Sequence, residues 1–256
     1  MITHYSDRKE QYYSCLSCGT IFLHPLPSVE SNIAFEGHNA VEKRVKVEEQ
    51  RISYFERRLK WLEGGVPETE DLKLFEIGCG AGRFLSLAQK RGWKVEGIEL
   101  SATLVEQSRK FNPEANIHHG DFIQMNDFLE KYYDAVVALD VIEHIIAPAV
   151  FIQRIHQILR PGGILLLQTP NAVSLRSILH KEHWNMLIPE YHFHLFSTRG
   201  ITKILKSNGF EIILLRTTSG TGTEQGFAKI TASIKEILLS SLKLGNALVV
   251  LAKSRG

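Results

Sequence analysis

The sequence predicts an α/β fold: a parallel sheet with helices on both faces. Three observations predict it. Strand-like apolar runs alternate with helical stretches from residue 72 onward, the pattern of a sheet built by crossover connections. One run, "YDAVVALDV", is apolar almost throughout, as a sheet centre covered on both faces requires. Gly78, Gly80 and Gly82 stand where the first of these strands hands over to a helix. Glycines there let the backbone turn sharply and let a ligand approach the free N–H groups of the helix start.

The elements follow in order. Residues 1–35 are predicted to be an irregular N-terminal segment, short in pattern and carrying Cys15, Cys18, Pro25 and Pro27, with 36–256 as the main domain. Val41, Val45, Ile52, Phe55, Leu59 and Leu62 recur at helical spacing across 36–62, a helix ended by Gly64-Gly65 and Pro67. "LKLFEI" is a strand and "RFLSLAQKRG" a helix stopped by Gly92; "KVEGIEL" is a strand and "SATLVEQSRKF" a helix capped by Ser101. "NIHHGDF" is a short strand and loop. After "YDAVVALDV", Pro148 opens a helix that Pro161-Gly162-Gly163 closes, and "ILLLQTPN" is the fifth strand. A long segment, 172–196, precedes a helix from about Ser197 to Ser207. "FEIILLRTT" and "NALVVLAK" are the last strands, separated by residues 219–245, too many for a tight hairpin.

Composition narrows the class. With 256 residues the chain can bury a full core. The net charge of +2 is too balanced for a nucleic-acid footprint. No apolar run reaches the roughly 18 residues of a membrane span, and the first residues show no signal-peptide stretch. Three cysteines do not make a disulfide framework, which points to a reducing, cytoplasmic setting.

The glycine turn does not match a nicotinamide fingerprint. In the G-x-G-x-x-G spacing counted from Gly78, the third glycine falls on Arg83; counted from Gly80, it falls on Leu85. What stands there is E-x-G-x-G-x-G, from Glu76 to Gly82. An acid beside the turn repels phosphate and suits a cationic ligand. The next strand ends in Glu99, where an acid accepts hydrogen bonds from ribose hydroxyls. Asp121 and Phe122, after the third strand, are an acid and an aromatic suited to an adenine's amine and face.

The pieces "FEIGCGAGRFL", "VEGIELS", "HHGDF", "YDAVVALDVIEHI" and "ILRPGGILLLQTPN" occur in one order, and "EYHFHLFSTRGITKILKSNGFEI" follows them. In this the chain resembles the class I S-adenosylmethionine-dependent methyltransferases, closest to the branch of the ubiquinone-biosynthesis O-methyltransferases. The resemblance implies a Rossmann-like seven-stranded sheet in the order 3-2-1-4-5-7-6 with strand seven antiparallel. It implies S-adenosylmethionine as cofactor, S-adenosylhomocysteine as product and methyl transfer to a small-molecule acceptor. A hydroxyl oxygen is the expected acceptor. N- or C-methylation of a sugar or secondary metabolite, or a cofactor-binding module without turnover, are the alternatives. By position, Gly78, Cys79, Gly80 and Gly82 would line the methionine part with Glu76 nearby. Glu99, with Leu100 beside it, would hold the ribose, and Asp121 and Phe122 the adenine. Leu139 and Asp140 would lie under the sulfonium and its amino group.

Methyl transfer to oxygen also needs a base. Two clusters offer one: Asp140 to His144, just past strand four, and His192 with His194 in "YHFHLF". His144 or His194 is expected to be the base, with Glu143 orienting it or binding acceptor. A rival reading has Asp140, Glu143 and His144 ligate a divalent ion. "YSCLSCGTIFLHPLPSVE" resembles a zinc knuckle found ahead of some bacterial members of this branch, but with one Cys-x-x-Cys where a structural zinc needs four ligands. No bound metal is expected there. Phe227, Ile230, Ile234, Leu238 and Leu242 recur at helical spacing with Lys229, Lys235 and Lys243 beside them. They make either a helix packed over the acceptor cleft or a basic amphipathic helix that touches membrane over 227–243.

Overall fold

A computed structural model describes residues 2–4, 11–26, 38–125, 128, 130–218 and 241–256. Among the described residues of the N-terminal segment, three short strands stand that the sequence does not single out: β1 (Ile2–His4), β2 (Gln11–Ser14) and β3 (Ile21–His24) pair as an antiparallel meander. The period-2 pattern is present, since Tyr12, Ile21 and Leu23 are buried while Tyr13 and Phe22 are half-buried. Each strand is too short for that alternation to stand out in the sequence. A fourth strand, His194–Leu195, completes this small sheet by pairing with β3.

The helix expected over 36–62 is two helices, α1 (His38–Gln50) and α2 (Ile52–Glu63), broken at Arg51. The break lets the two helices face different neighbours. Helix α2 buries Phe55, Leu59 and Leu62 against the sheet, while Glu48 of α1 turns toward the glycine turn.

The large sheet follows. Its strands are β4 (Lys73–Ile77), β5 (Lys94–Glu99), β6 (Asn116–His119), β7 (Tyr133–Leu139) and β8 (Leu159–Pro170). The crossovers are α3 (Arg83–Gln89), α4 (Ala102–Phe111) and α5 (Pro148–Ile158). Ser101 caps α4 and Pro148 opens α5, both as expected. Strand β8 starts earlier than expected. Pro161-Gly162-Gly163 lies inside it, as an irregularity that shifts its register on β7 between Tyr133 and Ala135.

Segment 172–196 contains α6 (Leu175–His180), a 3-10 turn at Lys181–His183 and the short strand β9 (His194–Leu195). Then come α7 (Thr198–Ser207, capped by Ser197), β10 (Phe210–Thr218) and β11 (Ala247–Ser254). The sheet order is β10-β11-β8-β7-β4-β5-β6, with β11 antiparallel to both neighbours. In order of appearance this is 3-2-1-4-5-7-6 with strand seven antiparallel, as the resemblance implies. Apolar clusters cover both faces: one holds Phe75, Val136, Phe151 and Ile155, the other Leu59, Leu74, Val137 and Leu166. No helix among the described residues is long and apolar enough to cross a membrane. Of the stretch 227–243, only Ser241, Leu242 and Lys243 lie among the described residues.

Candidate cofactor and active site

The parallel strands β4, β5 and β7 end on one edge of the sheet, and the predicted residues gather there. Gly78, Gly80 and Gly82 all have positive φ, of 68°, 56° and 82°. At Gly82 a Cβ would press on Ser108 and Asn112 of the α4 end; at Gly80 it would strike Oε1 of Glu48. Only glycine meets both demands, the backbone angle and the close approach. Cys79 is buried, with its Sγ 3.8 Å from Ser108 Oγ, and burial pushes its thiol well up. It is a packed residue whose backbone belongs to the turn.

Three carboxylates surround the turn. Glu76 is buried at the end of β4, and burial, then the charges of Glu48 and Glu99, hold its carboxyl well above the usual range. Its Oε2 has no hydrogen-bond partner among the described residues. Glu99, closing β5, accepts from the N–H groups of Gly80 (2.9 Å), Leu100 (2.8 Å) and Ser101 (3.0 Å). Leu100 beside it is exposed, an apolar shelf next to the acid. Glu48 was not singled out from the sequence. It comes from α1, far from the motif, and accepts from Ala81 N–H at 3.2 Å. Arg44, Glu48, Arg51, Phe55, Glu76, Gly78, Cys79, Phe84, Leu139 and Asp140 line one common pocket. A glycine cradle with buried carboxylate oxygens left to accept fits a ligand that carries an ammonium and a sulfonium.

Asp121 accepts from Ile123 N–H at 2.8 Å in a tight turn after β6. The ring of Phe122 is buried, against Phe75, Phe128 and Phe151. An aromatic beside a ligand-binding acid and an aromatic under a sheet carry the same sequence signal.

Asp140 takes a left-handed backbone (φ 58°) at the end of β7. Its Oδ1 accepts from Gln168 Nε2 at 2.7 Å and its Oδ2 pairs with Arg51 at 3.3 Å. The group of ligating atoms that comes together is not Asp140 with Glu143 and His144. It is Glu143, His144 and His192, whose ligand atoms lie within 4.8 Å of one another. Glu143 is buried, accepts from Thr169 Oγ1 at 2.9 Å, and is held well above the usual carboxyl range by burial and then by Asp140. The Nδ1 of His144 lies 2.6 Å from the Tyr191 carbonyl, and that of His192 lies 2.7 Å from the Met186 carbonyl. A carbonyl only accepts, so both rings carry their proton on Nδ1 and keep a lone pair on Nε2. Burial lowers both, His192 to about 4. His194 donates Nδ1–H to the Ile145 carbonyl at 3.1 Å and stacks on Phe196, outside this group.

At the N-terminal turn, Cys15 and Cys18 are free and half-buried. The backbone N–H groups of Cys18 and Ser17 lower the Cys15 thiol, and Cys18 Sγ lies 3.4 Å from Thr20 Oγ1.

The fold and this edge define the class: a Rossmann-like sheet with an acid-lined glycine turn, of the methyltransferase kind. The methyltransferase-domain family matches residues 44–215, and the chain belongs to that family. Among curated relatives, a ubiquinone biosynthesis O-methyltransferase of Leptothrix cholodnii is 29% identical over 119 residues, 44% of this chain and 51% of that protein. The chain spans about half the length of the curated relatives it matches, at 52%, 51% and 56%. A solved S-adenosylmethionine-dependent methyltransferase from Mesorhizobium loti shares the fold. Its TM-score is 0.59 at 21% identity, over 76% of this chain and 96% of that one. Phosphoethanolamine N-methyltransferase 2 of Haemonchus contortus, solved with S-adenosylmethionine, gives a TM-score of 0.56 at 18% identity, over 78% and 52%.

Proposed function

We propose that the chain transfers a methyl group from S-adenosylmethionine to a hydroxyl oxygen of a small molecule, with His144 as base. S-adenosylmethionine supplies a methyl already activated on a sulfonium, so the protein aligns, desolvates and moves one proton. Glu76 and Glu99 hold the cofactor's charged and ribose ends, and Leu139 and Asp140 lie under the reacting centre. The single observation that carries the base assignment is the His144 hydrogen bond to the Tyr191 carbonyl. It fixes the tautomer and leaves Nε2 free to take the acceptor's O–H proton. The imidazolium that forms is favoured by the charge of Asp140. His194, the other candidate, is half-buried beside Phe196 and outside the group. The similarity to ubiquinone O-methyltransferases supports an oxygen acceptor. Free cysteines support a reducing, cytoplasmic setting.

The convergence of Glu143, His144 and His192 favours one second reading, a divalent ion that grips the acceptor. Turnover of candidate phenols by wild type and His144→Ala, with and without a chelator, separates the two. A base predicts a loss of roughly 10²–10⁴ in turnover, unchanged S-adenosylhomocysteine affinity and no effect of chelator. Chelator inactivation reversed by a divalent ion would assign the cluster to metal. Near-normal turnover in the variant would refute both.

A further inference from the structure

Glu48 has no part in the site predicted from the sequence, yet the structure carries it into the glycine turn. It sits on the last turn of α1, one helix before the sheet begins. Its residue is only 4% exposed. Oε1 accepts from Ala81 N–H at 3.2 Å and from Arg44 Nε at 3.1 Å. Oε2 is buried with no hydrogen-bond partner among the described residues, and the same holds for Oε2 of Glu76. Both side chains line the pocket bounded by Gly78, Cys79, Leu139 and Asp140. A buried carboxylate oxygen without a donor is costly. Two in one pocket mark the place of a missing donor group, one with several N–H bonds and a positive charge.

We propose that Glu48 is a cofactor ligand: with Glu76 it clamps the α-ammonium of the cofactor's amino-acid end. An ammonium has three donors and no acceptor, so it can serve both open oxygens at once. The repulsion that Glu76 feels from Glu48 is relieved by the same charge. Burial, the first cause, raises both carboxyls in the free protein. The absent Cβ of Gly80 is the room in which the Glu48 carboxylate lies. The helix ahead of the sheet is thereby part of the binding site, and it selects for a ligand with a free amine. The inference rests on the cofactor reading above.

The test compares two ligands by calorimetry on the full chain. S-adenosylhomocysteine carries the amino-acid end; 5′-methylthioadenosine shares the adenosine and sulfur but lacks it. For Glu48→Gln, which keeps the size and the acceptor for Ala81, S-adenosylhomocysteine affinity is expected to fall about 10-fold or more, as for a hydrogen bond to a charged group. Methylthioadenosine affinity is expected to stay within about 2-fold, a difference too small for a lost charged hydrogen bond. Equal losses for both ligands would show that Glu48 only shapes the turn, and overturn the clamp. No loss for either would overturn it as well. A wild type that binds neither ligand would overturn the cofactor reading beneath it.

Discussion

At the scale of single residues, the chemistry of the site is a matter of carboxylates placed where water is excluded. Glu76 is raised by burial, so in the free protein it holds its proton above the usual carboxyl range. A cation bound beside it favours the charged form. Cofactor binding at a pH below the raised value of Glu76 should therefore release protons, and affinity should rise with pH until the acid is already ionised. Titrating S-adenosylhomocysteine in two buffers of different ionisation enthalpy measures the release. Equal binding enthalpies in both would show that Glu76 does not change state. Glu99 acts differently, since three backbone N–H groups already point at its carboxylate. Glu99→Ala removes both the proposed ribose acceptor and the tie to Gly80. The expected loss of cofactor affinity is roughly 1.5–3 kcal/mol, and an unchanged affinity in a folded variant would refute the placement.

How much of this was legible depends on where each signal lies in the chain. Glu76, Gly78, Gly80, Gly82 and Glu99 were legible because strand end, glycine spacing and acid occur within one short stretch. Glu48 was not, because only the break at Arg51 and the packing of α1 bring it to Ala81. The burial of the Phe122 ring was not legible either, because an aromatic after an acid reads the same whether it faces a ligand or packs in the core.

At the scale of elements, the small N-terminal sheet is tied directly to the proposed acceptor side. Leu23 N–H donates to the Phe193 carbonyl at 2.9 Å, and Phe193 N–H donates to the Glu143 carbonyl at 2.8 Å. Tyr12 Oη donates to the His192 carbonyl at 2.8 Å. Strand β3 thus holds the segment that carries His192, and through it a second 3-10 turn, Ile142–His144, with Glu143 and His144. Leu23 is buried in the cluster with Phe193 and Leu195. Leu23→Ala should cost about 2–5 kcal/mol of stability, the range for a buried leucine. Turnover should fall while S-adenosylhomocysteine affinity changes little, because the glycine turn lies on the other side of β7. A variant with equal losses in both would show that the sheet supports the whole domain rather than the acceptor side. The seven large-sheet strands were legible from their apolar runs, whereas these short strands, which position the histidines, were not.

At the scale of the whole molecule, the buried titratable groups make stability depend on pH in opposing ways. His192 has an ordinary value of 6.5 and is lowered to about 4, first by burial. Below 6.5 the unfolded chain takes up a proton there that the folded chain refuses until about pH 4. Its contribution is therefore fully present above 6.5 and is lost as pH falls to about 4. At 1.36 kcal/mol per pKa unit the loss amounts to about 3 kcal/mol. His144 and His194 are lowered in the same direction by burial. Glu48, Glu76 and Glu143 are raised, so their contributions are present below the ordinary carboxyl range and are lost as pH rises through their folded values. The opposing slopes mean that the total curve alone cannot isolate a histidine. The difference between wild type and His192→Gln can, because the acids are common to both. Urea unfolding of the two proteins from pH 7 to pH 4 should show wild type losing up to about 3 kcal/mol relative to the variant. A constant difference across that range would mean that His192 is protonated as readily in the folded chain as in the unfolded one. It would then not be the neutral, carbonyl-bound ring that sits beside His144 with its lone pair turned to the site.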